Sequence, residues 1–285
     1  MASAWRRVAG PVACGVLAAA VAGCSDTPRE IVEAKPVQTE TVDPVPDLSP
    51  VKPPEKTDPA ARAVVDAAVA AHTGGKPAAL NAFKAGFTVS RTGTVKNQGP
   101  SLNPQTWAIL AAWPDRMRVT ATLPTFQVIF CRDAAFLWQH SNIPGSGGLK
   151  PMDDGPAEDF RREMTGEWLP VLFPLLDPAA VLAVADPLPT GGKRTVGVRV
   201  WHPHLTDVIV YFDAESKLLV RVAYAGRENQ VPVTKEIIAL SHKPFAGVQL
   251  PERTVVKGAG RELAEWTVTT IEPVAVIDPK KFREP

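Results

Sequence analysis

Between residues 58 and 84 the apolar positions recur with the spacing of a helix, and from residue 87 they recur with the spacing of a strand. Asp58 is placed to cap a first helix and Pro59 to open it. An alanine-rich run to His72 fills that helix, and Gly74-Gly75 stops it. A second short helix is predicted from Lys76-Pro77 to about Lys84, ended by Gly86. Beyond it, Met117, Val119, Ala121 and Leu123 alternate with Arg116, Arg118, Thr120 and Thr122, the pattern of a strand with one buried face. Runs at 87–94, 107–113, 126–132 and 135–139 have the same character. The short gaps between these runs call for antiparallel hairpins.

Residues 156–186 break the alternation. They are rich in Leu, Val and Ala but carry Pro170, Pro174 and Pro178, and no single helix tolerates three interior prolines. Two or three short helices are expected there, with Asp177-Pro178 capping the last. Strand periodicity resumes at 196–201, in a hairpin of 208–212 with 218–224, and at 231–241, 253–257 and 262–271. The order is helix, meander, helices, meander, with about ten strands. This is a mainly β, α+β fold: a strongly curved antiparallel sheet or partial barrel, its concave face covered by the short central helices.

The N-terminus adds an address. Arg6 and Arg7 precede an apolar run from 8 to 22 that ends in Val21-Ala22-Gly23-Cys24. A basic start, a short apolar core and small residues before a cut make a signal peptide, here residues 1–23. The four residues ending in Cys24 resemble a lipobox, which implies that Cys24 becomes the diacylated first residue, bearing palmitate-class chains and held in a membrane. An uncleaved anchor is the alternative, but a span needs roughly 20 apolar residues and this run is shorter and broken by Gly10, Pro11 and Gly15. Ser25, rather than aspartate, follows the cysteine, which favours the outer over the inner membrane. From 25 to 57 the chain is rich in charge and proline, with Pro28, Pro36, Pro44, Pro46, Pro50, Pro53 and Pro54 and no apolar period. Residues 24–57 are therefore expected to be a lipidated, disordered tether of at most about 100 Å, and 58–285 one folded domain.

Charge and chemistry mostly exclude. Loss of Arg6 and Arg7 with the leader takes the formal charge from +1 to −1, which offers nucleic acid no basic stripe. Once Cys14 leaves and Cys24 carries lipid, Cys131 has no disulfide partner and reads as a small buried hydrophobe. No H-E-x-x-H, G-x-S-x-G or phosphate-loop pattern is present, so no cofactor and no enzymatic activity are expected. His202 and His204 share a face at a strand end, but sequence places no third ligand beside them and no metal is assigned. Trp107, Met117, Val119, Trp138 and Trp266 are the candidate lining of an apolar hollow, a role competing with plain core filling.

Four segments carry a resemblance to a known family: Ala70-Ala71-His72-Thr73-Gly74-Gly75, Phe212-Asp213-Ala214-Glu215-Ser216-Lys217-Leu218-Leu219, Gly247-Val248-Gln249-Leu250-Pro251 and Ile277-Asp278-Pro279-Lys280-Lys281-Phe282. They make the domain similar to the LolA/LolB-like lipoprotein-localisation factors of bacterial envelopes. The resemblance implies an unclosed β-barrel lidded by helices, facing the periplasm and binding a lipid or a lipoprotein acyl chain. The rival reading is a non-catalytic interaction or envelope-assembly module on a tether. A hydrolase ranks behind both for want of converging titratable groups.

Overall fold

A computed structural model describes residues 43–285 except Asn97, Ser146 and Asn229. The expected leader, Cys24 and the expected tether up to residue 42 lie outside the described residues.

Helix α1 (Pro59–Thr73) begins where Asp58 accepts a hydrogen bond from the Ala60 N–H at 2.8 Å, and ends where Gly74 turns left-handed at φ 57°. Its inward stripe of Ala61, Val65, Ala68, Val69 and His72 follows the three-to-four spacing read in the sequence. A 3-10 turn (Pro77–Phe83) leads into a meander of β1 (Phe87–Val95), β2 (Gln105–Ala112), β3 (Arg116–Thr122), β4 (Gln127–Asp133), β5 (Phe136–Ser141) and β6 (Gly148–Pro151). Helix α2 (Asp154–Trp168) and 3-10 turns at Leu169–Val171 and Phe173–Leu176 follow. The second meander is β7 (Val181–Ala185), β8 (Thr195–Trp201), β9 (Val208–Asp213), β10 (Leu219–Glu228), β11 (Val231–Phe245), β12 (Val248–Gly258) and β13 (Arg261–Pro273). A last 3-10 turn is Pro279–Phe282.

All thirteen strands belong to one antiparallel sheet, ordered β6-β5-β4-β3-β2-β1-β13-β12-β11-β10-β9-β8-β7. The two meanders meet where β1 pairs with β13. The edges β6 and β7 are consecutive in the chain and do not pair, so the barrel is unclosed. The chain crosses from one edge to the other through α2 and its two turns, which places that insert in the hollow. The unclosed architecture implied by the family resemblance is the one observed.

Two strands were not expected. β6 is a short, fully exposed edge whose Lys150 and Pro151 discourage further pairing. β7 replaces the last of the expected helices: Leu182 is buried under α1, and its carbonyl accepts from the Asp58 N–H at 2.8 Å. Pairing with β8 overrides the helical preference of this Leu- and Ala-containing run.

Alternation divides the sheet into two faces. Phe87, Val89, Ile109, Ala111, Met117, Val119, Val198, Val200, Val210 and Phe212 point inward and join α1, α2 and the turns in the main core. Each such side chain, fully removed from water, contributes about 1.5–3 kcal/mol. The outer face is covered by the chain's two ends. At the C-terminal end, Phe282 is buried, and its carbonyl accepts from Trp138 Nε1 at 2.7 Å and from the Cys131 thiol at 3.2 Å. Burial pushes that thiol up to about 12, the behaviour of an inert buried cysteine.

At the other end, residues 43–53 lie extended over β8–β10, with Leu48 against Ile209, Tyr211 and Val220. The disordered tether was expected to reach residue 57, and its last third is instead part of the packed body. The disorder argument weighed apolar content, which is low here. It overlooked a proline-rich chain's free carbonyls, which the sheet uses: Arg221 donates to Pro44 O at 3.0 Å, Arg199 to Ser49 O at 2.6 Å and Trp201 Nε1 to Val51 O at 3.2 Å.

Candidate functional site

The concave side of the sheet is filled with side chains, and much of that filling comes from the insert. Trp168 at the end of α2 touches Phe87, Trp113 and Phe173 edge-on, with ring centroids 5.3, 5.1 and 6.0 Å apart. Leu169, Leu172 and Leu175 are each 0 % exposed. Leu172 takes φ 62° between the two 3-10 turns, a left-handed conformation that costs a non-glycine residue about 1–3 kcal/mol and holds only when its surroundings impose it. The prolines that prevented one long helix thus wind Leu169–Leu176 into an apolar plug.

Of the expected lining residues, Met117 and Val119 face this hollow within the main core. Trp107 and Trp266 face it nearer the rim, ring to ring at 4.8 Å. Trp138 does not. β5 turns Leu137 inward and Trp138 outward, because side chains alternate strictly along a strand and Leu137 pairs across with inward Arg132. Trp138 instead anchors the C-terminal turn on the outer face.

The sequence reading missed the charged layer between α2 and the sheet. Asp159, Glu163 and Glu167 are spaced by four and so share one helix face. Each meets a cation from a different strand: Arg227 of β10 at 3.5 Å, Lys235 of β11 and Arg91 of β1. Glu163 also accepts from the Tyr224 hydroxyl at 2.8 Å, and burial first, then the Glu163 charge, holds that phenol well above its usual range. The Arg91–Glu167 pair is bidentate, at 2.7 and 3.1 Å, and the guanidinium lies 4.8 and 4.7 Å from the ring centres of Trp107 and Trp266. At Gly166 the helix approaches so closely that an added Cβ would lie 2.8 Å from Ile237 and 3.0 Å from the Tyr224 ring. The four-residue acidic spacing was the readable signal, obscured by the Leu- and Pro-rich run after it.

His202 and His204 stack at 5.6 Å; the His202 ring accepts from the His204 N–H and lies 3.6 Å from Asp177. Burial holds the His202 ring below its usual range although Asp177 pulls the other way. The described residues bring no three metal-ligating side chains together. This corner borders a surface cleft of about 310 Å³, and another of about 480 Å³ flanks the β1–β2 connection; both open outward rather than into the hollow.

A second histidine pair is structural. The β10–β11 ladder begins at Arg221, so the backbone groups of Leu219 have no strand partner on the β11 side. His72 Nε2 accepts from the Leu219 N–H at 2.9 Å, its Nδ1–H donates to Gln249 O, and His242 Nε2 donates to Leu219 O at 2.8 Å. Burial lowers the His72 pKa from 6.5 to about 4 and lowers that of His242 as well. The unfolded chain therefore takes up the proton first. Stability is complete above pH 6.5 and falls as pH drops toward 4, by about 3 kcal/mol for His72 alone. Urea unfolding at pH 7 and pH 4 should show that loss in the native chain and a smaller one in His72→Gln.

No protein-family model matches the chain, and no curated protein does. Among solved structures it is similar to a LolA superfamily protein from Nitrosomonas europaea, with TM-score 0.48 and 10% identity, covering 79% of this chain and 97% of that one. A DUF1329 family protein from Desulfovibrio piger gives 0.47 and 8%, covering 79% and 98%. LprF from Mycobacterium bovis gives 0.28 and 13%, covering 79% and 99%. At TM-scores below 0.5 these likenesses say nothing of what this chain does. No described helix is long and apolar enough to cross a membrane.

Proposed function

We propose that this chain is an exported, non-catalytic bacterial lipoprotein, anchored through acylated Cys24 and facing the periplasm, with the outer membrane favoured. Its half-barrel takes an acyl chain, from a lipid or a lipoprotein, when the insert leaves the hollow. The observation that carries this reading is that the occupant of the hollow is one separate segment. That segment joins two unpaired sheet edges and is held by side-chain contacts alone, its ion pairs and the buried Met164 and Trp168, with no backbone ladder. Such an element can move without breaking strands. Withdrawal of Trp168 and Leu169–Leu176 would leave an apolar concave face of the kind that suits an acyl chain.

The test uses the full chain made in a bacterial host. Metabolically supplied labelled palmitate should enter the protein and disappear with Cys24→Ser, which should also leave the membrane fraction. The soluble Cys24→Ser chain should take up one fluorescent fatty acid. Gly166→Leu, which wedges α2 away from Ile237 and Tyr224, should raise that affinity about tenfold if it weakens closure by a modest 1.4 kcal/mol. Failure of both forms to take up fatty acid would remove the carrier reading. A non-catalytic protein-interaction module would then stand, a reading favoured by a hollow that the chain's own side chains already fill.

A further inference from the structure

Arg91 is built differently from the other two cations beneath α2. It is 8 % exposed, and its guanidinium lies against the adjoining Trp107 and Trp266 rings, 4.8 and 4.7 Å from their centres, on the inner face of β1. Both terminal nitrogens donate to Glu167, while its Nε–H, also buried, has no acceptor. Contact with both adjoining indoles and the bidentate bonds to Glu167 orient the guanidinium, which presents its fork toward α2. Its cross-strand partners are Trp107 on β2 and Val268 on β13, and Val89, two residues back on β1, pairs with Ile109 of the apolar core. A rigid, dehydrated oxyanion fork thus stands at the border of an apolar hollow, and its acceptor is supplied by the segment that fills that hollow.

We infer that Arg91, seated against the adjoining Trp107 and Trp266 rings, is the headgroup site for an anionic amphiphile, and that the Glu167 carboxylate occupies it while α2 is closed. The inference rests on the acyl-binding reading above and names its ligand class: a chain ending in a carboxylate or phosphate. Ligand entry then exchanges one carboxylate–guanidinium pair for another. Arg91 is never left as a bare buried charge, and the unused Nε–H supplies an additional donor to the incoming oxyanion. The tail replaces Trp168 and the leucines of the plug. A neutral amphiphile of equal length gains the same apolar burial but leaves the Arg91 fork without an acceptor.

The experiment measures binding of hexadecanoic acid, its methyl ester, palmitoyl lysophosphatidic acid and palmitoyl lysophosphatidylcholine to residues 24–285 carrying Cys24→Ser, all below micelle-forming concentrations. Hexadecanoic acid should bind about tenfold more tightly than its ester, the discrimination one charge-assisted pair provides. Preference for the lysophosphatidic acid over the choline lipid would make phosphate the favoured head, and preference confined to the fatty acid would make it carboxylate; either supports the site. Glu167→Gln leaves the fork unpaired while α2 is closed and should tighten acid and ester alike, so that the acid keeps its advantage. A merely structural ion pair would show no acid advantage in either form. Arg91→Gln should bring acid and ester within about twofold of each other; should it fold poorly, Arg91→Gln with Glu167→Gln keeps the pair neutral and gives the same reading. Equal binding of acid and ester by the native sequence, or a preference surviving loss of Arg91, overturns the inference while leaving acyl binding intact. Absence of all binding overturns both.

Discussion

Replacing Trp168 by alanine should cost about 3–5 kcal/mol of folding stability, read as a lower denaturant midpoint with little change in slope. The indole is 0 % exposed and ties Phe173 of the neighbouring plug to two residues distant in sequence, Phe87 on β1 and Trp113 between β2 and β3. Truncation leaves a void that the surrounding rings cannot close by rotation, because their edge-on contacts fix them. Trp168→Phe should cost only about 1–2 kcal/mol, since the indole N–H it removes has no acceptor and its loss offsets part of the lost volume. A Trp168→Ala cost under 1 kcal/mol would mean that the insert is only lightly docked. Its withdrawal would then be cheap enough to occur without ligand.

The second large effect lies on the opposite face. Arg221→Ala should cost about 3–5 kcal/mol, because it leaves Glu236 buried without its counter-charge. Arg221 is 1 % exposed and Glu236 is 2 % exposed; they lie 3.4 Å apart beneath the strap of residues 43–53. Burial already holds the Glu236 carboxyl above its usual range in spite of Arg221. Arg221 also donates to Pro44 O and pairs with Asp43 at 3.4 Å, so its loss frees the start of the strap. Protease cleavage within residues 43–53 should accelerate together with the fall in stability. Arg221→Met combined with Glu236→Leu should restore most of the stability but not the strap's protection, because an apolar pair removes the unpaired charge without replacing the donor to Pro44. Unchanged cleavage in Arg221→Ala would show that Arg199 and Trp201 hold the strap without Arg221.

The strap shows why part of this fold could not be read from the chain. Residues 44–51 have a tether's composition, and the donors that fix their carbonyls lie 150 or more residues away, on β8 and β10. The same distance hid the headgroup candidate. Arg91 reads as one polar residue in an alternating strand, Glu167 as one acid on a short helix, and only the insert's return across the sheet brings them within 2.7 Å. Trp138 shows the opposite limit: its alternation was plain, but which side of the strand would be the inner one depends on pairing with β4.

The sequence by itself determined the local elements: the Asp58 cap and Gly74 stop of α1, the two meanders and the proline-broken insert. These follow from short-range physics, namely capping, proline's missing donor, and the two side-chain periods of helix and strand. Tertiary structure alone decided which face of the sheet is hollow, that the insert fills it, and which charges meet there. Those outcomes depend on β1 pairing with β13 across 170 residues of chain, and no local preference specifies that contact.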